Sequence, residues 1–364
     1  MYLSKLSLAD YRNYRSEEVS FHPRLNLLLG KNAQGKTNVL EAIHLLTRGR
    51  SHRGATDGDL VRWDAEGCRL CGEIIRNGRC HQVEMRINGH GKEFGVDGSA
   101  AEKRRDPLDR FSAVIFSPED LELVRSGPEH RRDFLDGITA QLLPRQKVYR
   151  IQYYRVLRQR NHLLKEGGAD RRLVEPWDHQ LAKFGSRLLE GRRMALGRLL
   201  PIASEAYARI SQTDGLLSGV YRESLGEGID GEEAYLAALM AGWEEDRRMA
   251  VTLRGPHRDE IPFFLDGQEM RRYASQGQIR TAALALKLGE LNLLSQELDE
   301  DPILLLDDVM SELDEDRRAF LLELVQGPFQ TVVTATDPGY FAPHLLEEAS
   351  IFRVDGNRCL PWSA

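Results

Sequence analysis

Apolar and polar residues alternate along the first 30 positions as short strands separated by polar turns. The apolar run Leu25–Leu29 predicts a buried strand that leads directly into a glycine. The next segment, from about 36 to 46, has the spacing of apolar residues that is typical of a helix. The chain therefore opens with short strands, a glycine turn and a helix.

Turn signals dominate the segment from about 66 to 98, which predicts an antiparallel meander of short strands. The turn pairs are Asn77-Gly78, Asn88-Gly89 and Asp97-Gly98. The apolar run 113–116 then predicts another core strand.

From about 121 to 254 the pattern changes to long helical stretches. We expect them to be interrupted near Gly167-Gly168, Pro176, Pro201 and 225–231. The β-rich pattern returns with predicted strands at 261–265, 303–306 and 331–334, and a long helix lies between the first two. A mostly helical lobe, 121–254, is thus predicted as an insertion in a discontinuous α/β lobe formed by 1–120 and 255–364.

Composition adds limits to this picture. The chain has 364 residues, which favours two lobes, and its 50 Lys and Arg against 56 Asp and Glu give a net charge of −6. Any nucleic-acid surface must therefore be local. The four cysteines are too few for a disulfide framework, and neither a signal core nor a transmembrane run is apparent, so we expect a cytoplasmic protein.

Cys68 and Cys71, followed by Cys80 and His81, have a spacing that also occurs in zinc sites. If the segment is a strand, however, residues three apart point to opposite faces, and Cys68 and Cys71 diverge. Zinc is the less favoured interpretation.

The strongest local signal is the octapeptide that begins at Gly30, which satisfies the phosphate-loop pattern G-x-x-x-x-G-K-T between a predicted strand and a predicted helix. Lys36 is expected to bridge the β- and γ-phosphates of a nucleotide, and Thr37 to ligate Mg²⁺. The alternative is a glycine turn before an ordinary helix. The predicted nucleotide contacts are Gly30, Lys31, Asn32, Ala33, Gln34, Gly35, Lys36, Thr37 and Asn38.

A second half of such a site follows the apolar run 303–306, which ends in two acids as a Walker B strand does. Asp307 is placed to hold Mg²⁺ through water, and Asp308 is the candidate general base. Taken alone, the pattern also fits a core strand that meets solvent. Since Asp is one methylene shorter than Glu, Asp308 predicts slow hydrolysis.

Between these motifs, Ser275 and Gln278 predict a capping box at the start of a helix that continues through 281–296. A cap of this kind needs no ligand. Ser-x-Gly-Gln ahead of a Walker B strand also resembles the signature of ABC ATPases, in which Ser275, Gly277 and Gln278 would face a nucleotide held by another subunit.

Three further segments occupy positions of ABC motifs with departures. The segment 311–314 resembles the D-loop, with Ser311 and Asp314 at a dimer seam, although it also fits a helix N-cap. Glu119 stands where the Q-loop usually has glutamine, which puts its metal role in doubt. Thr336 and Asp337 occupy the switch position without histidine.

From end to end the chain resembles the RecF family of bacterial recombination mediators, small relatives of the SMC and Rad-type ABC ATPase heads. The motifs that carry the resemblance are Tyr11-Arg12-Asn13-Tyr14, Gly35-Lys36-Thr37-Asn38-Val39-Leu40-Glu41-Ala42-Ile43, Gly49-Arg50-Ser51-His52-Arg53, Phe116-Ser117-Pro118-Glu119-Asp120 and Gly255-Pro256-His257-Arg258-Asp259. The implied fold is an α/β ABC-type P-loop ATPase head with an inserted helical lobe.

The resemblance also implies an activity. It implies an ATP-dependent homodimer that binds DNA at single-strand gaps or junctions and has weak DNA-stimulated ATP hydrolysis. The implied partners are RecR, together with RecO, which load RecA in recombinational repair, replication restart and the SOS response.

The residues themselves supply one independent indication of a DNA surface, because the segment 125–165 is locally basic. Basic residues alternate there with tyrosines, a mixture suited to phosphate contact. A solvated helix face is the alternative. The predicted DNA contacts are Lys147, Arg150, Arg155, Arg158 and Arg160.

Two other function classes remain as alternatives. The ATPase subunit of a membrane transporter would also have these nucleotide motifs, but the span from Lys36 to Ser275 is long for that class. An SMC-like tether would need long heptad arms, and no sustained heptad repeat is present. A non-hydrolysing SMC-like scaffold could keep nucleotide binding while dispensing with the acid at Asp308.

Overall fold

The structure is a computed structural model that describes residues 1–100, 111–166, 170–226 and 228–362. The chain divides into two compact units, one made of Met1–Asp120 with Leu294–Ala364 and the other of Leu121–Leu293. The predicted break at Gly167-Gly168 lies outside the described residues.

The strands and helices are numbered along the chain. The strands are β1 Tyr2–Tyr11, β2 Tyr14–Ser20, β3 Leu25–Leu29, β4 Cys68–Arg76, β5 Arg79–Asn88, β6 Gly91–Val96, β7 Ser99–Ala100, β8 Ala113–Phe116, β9 Leu217–Gly219, β10 Phe263–Leu265, β11 Gln268–Glu269, β12 Ile303–Asp307, β13 Thr331–Ala335, β14 Ser350–Asp355 and β15 Arg358–Pro361. The helices are α1 Lys36–Arg48, α2 Asp57–Leu60, α3 Glu122–Arg125, α4 Pro128–Leu142, α5 Pro144–Lys165, α6 Arg171–Ser211, α7 Gly231–Ala241, α8 Trp243–Met249, α9 Met270–Tyr273, α10 Gln276–Glu297, α11 Val309–Glu312, α12 Glu315–Val325 and α13 Pro343–Glu348.

The predicted meander forms most of an antiparallel sheet in the first unit, with strand order β2-β1-β4-β5-β6-β7. Asn77 and Gly78 both have positive φ, 49° and 69°, as a tight turn between β4 and β5 requires. Alternation along β4 buries Cys68 and leaves Cys71 partly exposed on the other face. The two cysteines therefore diverge, as the strand interpretation predicts.

The second sheet of this unit has the order β15-β14-β3-β13-β12-β8, and every pairing except that of β15 is parallel. All residues of β3, β12 and β13 are buried, which explains their nearly continuous apolar sequences. Because parallel strands end at the same edge, the sheet brings the residues after β3 and at the end of β12 to one place.

The second unit is mainly helical. Its longest helix, α6, has 41 residues and continues through Pro176 and Pro201, so the predicted interruptions at these prolines are wrong. A proline inside a helix costs about 3 kcal/mol because it removes a hydrogen bond and crowds the preceding turn. Buried residues on both sides of each proline, such as Leu199 and Ala203, pack along one continuous stripe that offsets this cost.

No helix within the described ranges has the length and apolar character needed to cross a membrane.

Candidate functional site

The loop between β3 and α1 depends on two glycines. A Cβ on Gly30 would collide with the carbonyl of Val354, and the Gly30 N–H donates to the carbonyl of Ala335 at 3.2 Å. Gly35 has a φ of 103°, and a Cβ there would lie only 2.8 Å from Asn13 Nδ2 and from the Tyr14 hydroxyl. Larger residues are thus excluded from both ends of the loop.

Lys36 folds back across this loop. Its Nζ donates to the carbonyl oxygens of Gly30 at 2.6 Å and Lys31 at 2.9 Å, and the residue is only 6% exposed. Burial lowers the pKa of Lys36, although the carboxylates of Asp308 and Asp307 act in the opposite direction. The loop therefore holds the ammonium group of Lys36 in the position that is expected for a phosphate-loop lysine.

A carboxylate lies next to the start of α1. The Thr37 hydroxyl donates to Asp307 Oδ1 at 2.9 Å, and the Thr334 hydroxyl donates to the same oxygen at 2.8 Å. Asp307 is 5% exposed, and burial raises its pKa while the two hydroxyl hydrogen bonds limit the shift. The structure thus joins the predicted metal-site residues Thr37 and Asp307.

Thr334 was not among the predicted site residues. Thr334 lies directly opposite Asp307 in the parallel pair of β12 and β13. Its position at the end of the predicted strand 331–334 is the sequence signal that could have identified it, because parallel strands end at the same edge of a sheet. Its hydroxyl also accepts the backbone N–H of Asp308 at 2.8 Å. Thr334 therefore orients both acids.

Asp308 has an unusual backbone conformation. Its φ is 51°, in the left-handed region that residues other than glycine rarely occupy. Within the described part of the chain, no hydrogen-bond donor contacts its Oδ1, although that atom is buried. Such strain and such an unpartnered acceptor are typical of functional sites.

A buried carboxylate organises the motifs around the phosphate loop. Glu41 is fully buried and accepts hydrogen bonds from Tyr11 at 2.9 Å, from two nitrogens of Arg12 at 2.8 Å each, and from Ser51 at 2.5 Å. Burial alone would raise the pKa of Glu41, but the bonds from Arg12 and Ser51 hold it below its usual value. Family motifs contained these residues, but their partners could not be predicted.

This network fixes the β1–β2 turn against the loop. Asn13, the residue after Arg12, accepts a hydrogen bond from Asn38 Nδ2 at 2.7 Å and also contacts Asn357. Gln34 accepts the backbone N–H of Gly356 at 2.9 Å. The phosphate loop is therefore held from two sides within its own unit.

In the second unit, the capping box at the start of α10 is confirmed. The Ser275 N–H donates to Gln278 Oε1 at 2.8 Å, and the Gln278 N–H donates to Ser275 Oγ at 3.3 Å. Both residues are exposed, whereas Gly277 is partly buried. The first turn of this helix is thus ordered by its own side chains.

The D-loop-like segment has a helix cap. Asp314 accepts the backbone N–H of Arg317 at 3.1 Å at the start of α12, and the Ser311 hydroxyl donates to the carbonyl of Asp308 at 2.9 Å. Both Ser311 and Asp314 are exposed. The N-cap interpretation of Asp314 is therefore correct. Because Ser311 and Asp314 are exposed, both side chains are also accessible to a second subunit.

The remaining two predicted positions are on the surface. Glu119 is exposed in the one-turn 3-10 helix Pro118–Leu121, yet its charge is close enough to raise the pKa of Asp307. Asp337 accepts the N–H of Gly339 at 2.8 Å and so caps a turn, and Thr336 is exposed beside it.

The predicted basic strip on α5 requires a correction. Arg160 is fully buried, where it binds Asp178 and Asp246 at 2.7 Å each, so its prediction as a DNA contact is wrong. The physical reason is helical periodicity, which places position 160 on the same face as buried Tyr153 and Val156. The charge of Arg160 is neutralised by the two carboxylates, and its guanidinium is not accessible to a phosphate.

The other members of the strip differ from one another. Arg150 forms ion pairs with Asp133 at 2.5 Å and Asp136 at 2.8 Å, and Lys147 is partly buried. Arg155 and Arg158 are exposed. The surface that remains is therefore narrower than the sequence pattern predicts.

Comparison with known proteins defines the class to which this fold and site belong. The sequence model of the RecF/RecN/SMC N-terminal domain matches residues 2–348 of the chain. The head domain of Smc from Pyrococcus furiosus, solved with an extended coiled coil and bound to the C-terminal domain of ScpA, shares the fold with a TM-score of 0.55 at 14% identity, covering 100% of this chain and 96% of that one. The class is that of the SMC-type P-loop heads.

Closer relatives narrow the class. The chain is 41% identical over 372 residues to the DNA replication and repair protein RecF of Synechococcus sp. (strain JA-3-3Ab), covering 99% of this chain and 98% of the relative. It is 36% identical to the protein of the same name from Bacillus subtilis (strain 168), covering 97% and 98%. A solved structure described as the recombination mediator protein RecF-ATP in the RecFOR pathway matches with a TM-score of 0.91 at 33% identity, covering 100% of this chain and 98% of that one. The chain belongs to the RecF family.

Proposed function

We propose that this chain binds ATP, dimerises when ATP is bound, and acts on DNA as a recombination mediator. The observation that carries the proposal is the hydrogen-bonded set Thr37, Asp307 and Thr334, which lies beside an unpartnered oxygen of Asp308 and in the same unit as Lys36, whose ammonium group folds onto the loop carbonyls. A glycine turn before an ordinary helix, the alternative for this loop, would not need two acids at the helix start. Family membership and the solved relative described with ATP support the same ligand.

The residues present fit a magnesium nucleotide. Thr37 and Asp307 offer the oxygen ligands that Mg²⁺ prefers, and they would hold the ion directly and through water. When bound, Mg²⁺ would neutralise charge on the β- and γ-phosphates. Lys36 would exchange its bonds to two loop carbonyls for phosphate oxygens, and backbone N–H groups from Gly30 to Asn38 would complete the cradle.

Asp308 is the proposed general base. Its buried Oδ1 would accept a hydrogen bond, and then a proton, from the attacking water. The Thr334 hydroxyl orients the acid by holding its backbone N–H. Because the side chain of Asp is short, we expect slow hydrolysis, which DNA would stimulate weakly.

The signature residues are proposed to act on the nucleotide of a second subunit. Ser275 Oγ accepts the N–H of Gln278, so its own proton remains available for a phosphate oxygen. Exposure of Ser275 and Gln278 supports this role, as does the partial positive charge at a helix N-terminus. Gly277 would allow close approach, and Ser311 and Asp314 would lie at the seam.

The biological context is proposed from the relatives. Their names describe DNA replication and repair, and the solved relative is described as a recombination mediator in the RecFOR pathway. We infer a cytoplasmic protein that binds DNA at single-strand gaps or junctions and, with RecR and RecO, helps to load RecA in repair, replication restart and the SOS response.

Sedimentation velocity with and without ATP, in the presence of gapped, duplex or single-stranded DNA, tests this proposal. The wild-type chain should become a dimer with ATP and bind DNA more tightly in that state. A transporter subunit or a nucleotide-binding scaffold would lack that DNA dependence. A monomer that binds DNA equally with and without ATP would contradict the mechanism.

A further inference from the structure

We propose that Arg125 is a positioning residue that holds the signature loop in place, and that Glu260 supports it through Arg131. This inference rests on the proposed role of Ser275 toward a nucleotide in a second subunit. It assigns a task to the motif Gly255-Pro256-His257-Arg258-Asp259, which the nucleotide site does not use.

The first link is a side-chain contact to the start of α10. The guanidinium of Arg125 donates to Oε1 of Gln276, the residue next to Ser275. The bond to Gln276 is made by a terminal nitrogen of the guanidinium. Within the described ranges, a second nitrogen, Arg125 Nε, is buried and has no hydrogen-bond partner. Gln276 itself is exposed, so this contact ties an otherwise solvent-facing loop to the body of the unit.

The second link explains how Arg125 is held. It ends α3, a helix of only four residues, which is too short to be stable by itself. Arg131 of α4 donates to the carbonyls of Leu123 at 3.1 Å and Ser126 at 2.8 Å, which lie within and just after this turn. Arg131 is 3% exposed, so the support comes from the interior.

The third link is Glu260, the residue after the motif. Its Oε1 accepts from Arg131 Nε at 2.9 Å and from the backbone N–H of Ile261 at 2.7 Å. The Glu260 backbone also pairs with Arg222 through two hydrogen bonds of 2.8 and 3.0 Å. These contacts fix the carboxylate on a short β-bridge.

The motif anchors that bridge. Asp259 is 1% exposed and accepts hydrogen bonds from Tyr221, from the Ser224 hydroxyl and from the Ser224 N–H, each at 2.8 Å. Asp259 is thus linked through the chain to Glu260, Glu260 is hydrogen-bonded to Arg131, Arg131 holds the backbone on both sides of Arg125, and Arg125 is hydrogen-bonded to Gln276. The side-chain steps are made by the charged groups of Glu260, Arg131 and Arg125.

The capping box alone would not hold the loop in one orientation. It satisfies the backbone of Ser275 and Gln278 by means of residues of the same turn, and so it moves with that turn. Arg125 joins the turn to a different helix. Without it, the signature helix would keep its cap and the packing of its buried part, which begins at Ile279, but its first turn would lose its side-chain tie to α3.

A double-mutant cycle on the full chain tests the first link. The variants are Arg125→Ala, Gln276→Ala and the pair, and the readouts are the ATP-dependent dimerisation constant by sedimentation and ATP affinity by titration. Each single change should weaken dimerisation by about tenfold, and the pair should weaken it by little more than either one, because both remove the same bond. ATP affinity and the unfolding midpoint should stay the same.

A control variant and two other outcomes distinguish the positioning role of Arg125 from ATP-dependent dimerisation itself. Arg247→Ala, which removes an exposed arginine from α8, is the matched control and should leave dimerisation unchanged. Additive effects of Arg125→Ala and Gln276→Ala, as a direct phosphate contact of Arg125 would produce, would overturn the inference but not the proposed function. If the wild-type chain forms no dimer with ATP, both are wrong.

The deeper links are tested with Glu260→Gln, which keeps the side-chain shape and removes its charge. We expect dimerisation to weaken by about threefold with ATP affinity unchanged, since a charged hydrogen bond becomes a neutral one. A lower unfolding midpoint with unchanged dimerisation would mean that Glu260 supports only the fold, and it would remove Glu260 from the series.

Discussion

The phosphate loop and the signature helix are built in opposite ways. Lys36 and Asp307 are 6% and 5% exposed. Lys36 donates hydrogen bonds to two carbonyls of its own loop, and Asp307 accepts hydrogen bonds from hydroxyls of α1 and β13, which are distant in sequence. Ser275 and Gln278 are exposed and hydrogen-bond to each other. The first region is preorganised by the core of its unit, whereas the second is a completed helix cap with polar groups toward solvent. The proposed site, which two subunits would share, would require such a difference.

The largest expected effect comes from removing the buried ammonium group of Lys36 from the phosphate loop. Lys36→Met should reduce ATP affinity at least about a hundredfold, because charge-assisted hydrogen bonds to phosphate contribute about 1.5 to 3 kcal/mol each. Dimerisation should disappear with it. Titration of the monomer with ATP measures the first effect and sedimentation the second.

Lys31→Met is the matched control for that change. Lys31 lies in the same loop, but its side chain is exposed and only its carbonyl contacts Lys36. Its removal should change ATP affinity by less than about threefold, which corresponds to a surface charge effect. Equal losses from both substitutions would mean that the loop responds to net charge and not to the buried position of Lys36.

The exposed region should fail in a different way. Ser275→Arg should leave ATP affinity near the wild-type value, because the phosphate loop is complete within its own unit. ATP-dependent dimerisation should weaken by about a hundredfold, since a bulky charge would be buried at the seam without a partner. Ser186→Arg, at a serine on α6, should have no such effect. Loss of ATP binding by Ser275→Arg would show that the two regions are not independent.

The sequence predicts the parts of this comparison that local patterns determine. The strands β3 and β12, the helix α1 and the capping box all follow from short runs of residue types, and the structure contains each of them. The capping box needs only Ser275 and Gln278, which are three positions apart, so the local sequence is enough to predict it.

What the sequence does not predict depends on tertiary partners. Glu41 and Thr334 acquire their roles from residues far away in the chain, and a single sequence carries no sign of those pairings. The same holds for Pro201 inside α6, where packing outweighs a local rule. The prediction for Arg160 is wrong because a count of basic residues ignores which helix face is buried.

The contrast between buried and exposed groups also limits the proposed DNA surface on α5, where Arg155 and Arg158 are exposed and Arg160 is buried. Arg155→Glu with Arg158→Glu should weaken DNA binding by about tenfold and reduce the slope of log affinity against log salt by about 2, since about 0.9 counterion is released for each phosphate contact. Arg247→Glu with Arg248→Glu, on exposed positions of α8, is the matched double reversal. If both pairs act equally, the effect is one of net charge, and α5 has no special role.

The smallest effect, and the finest test of the buried region, concerns the reach of its two acids. Asp308→Glu should raise ATP turnover by about two- to fivefold, because a longer side chain brings the carboxylate closer to the attacking water. Asp307→Glu should lower turnover, since the space beside Thr37 and Thr334 fits the shorter acid. Turnover of the saturated enzyme separates these outcomes from changes in ATP affinity.

Opposite responses at two adjacent acids cannot come from charge, which both substitutions leave the same. They would show that Asp307 is fixed by its hydroxyl partners and that Asp308 is limited by distance. An unchanged or lower rate with Asp308→Glu would mean that reach does not limit hydrolysis. The slow step would then lie in the exposed region, where the signature helix of one subunit must meet the nucleotide of the other.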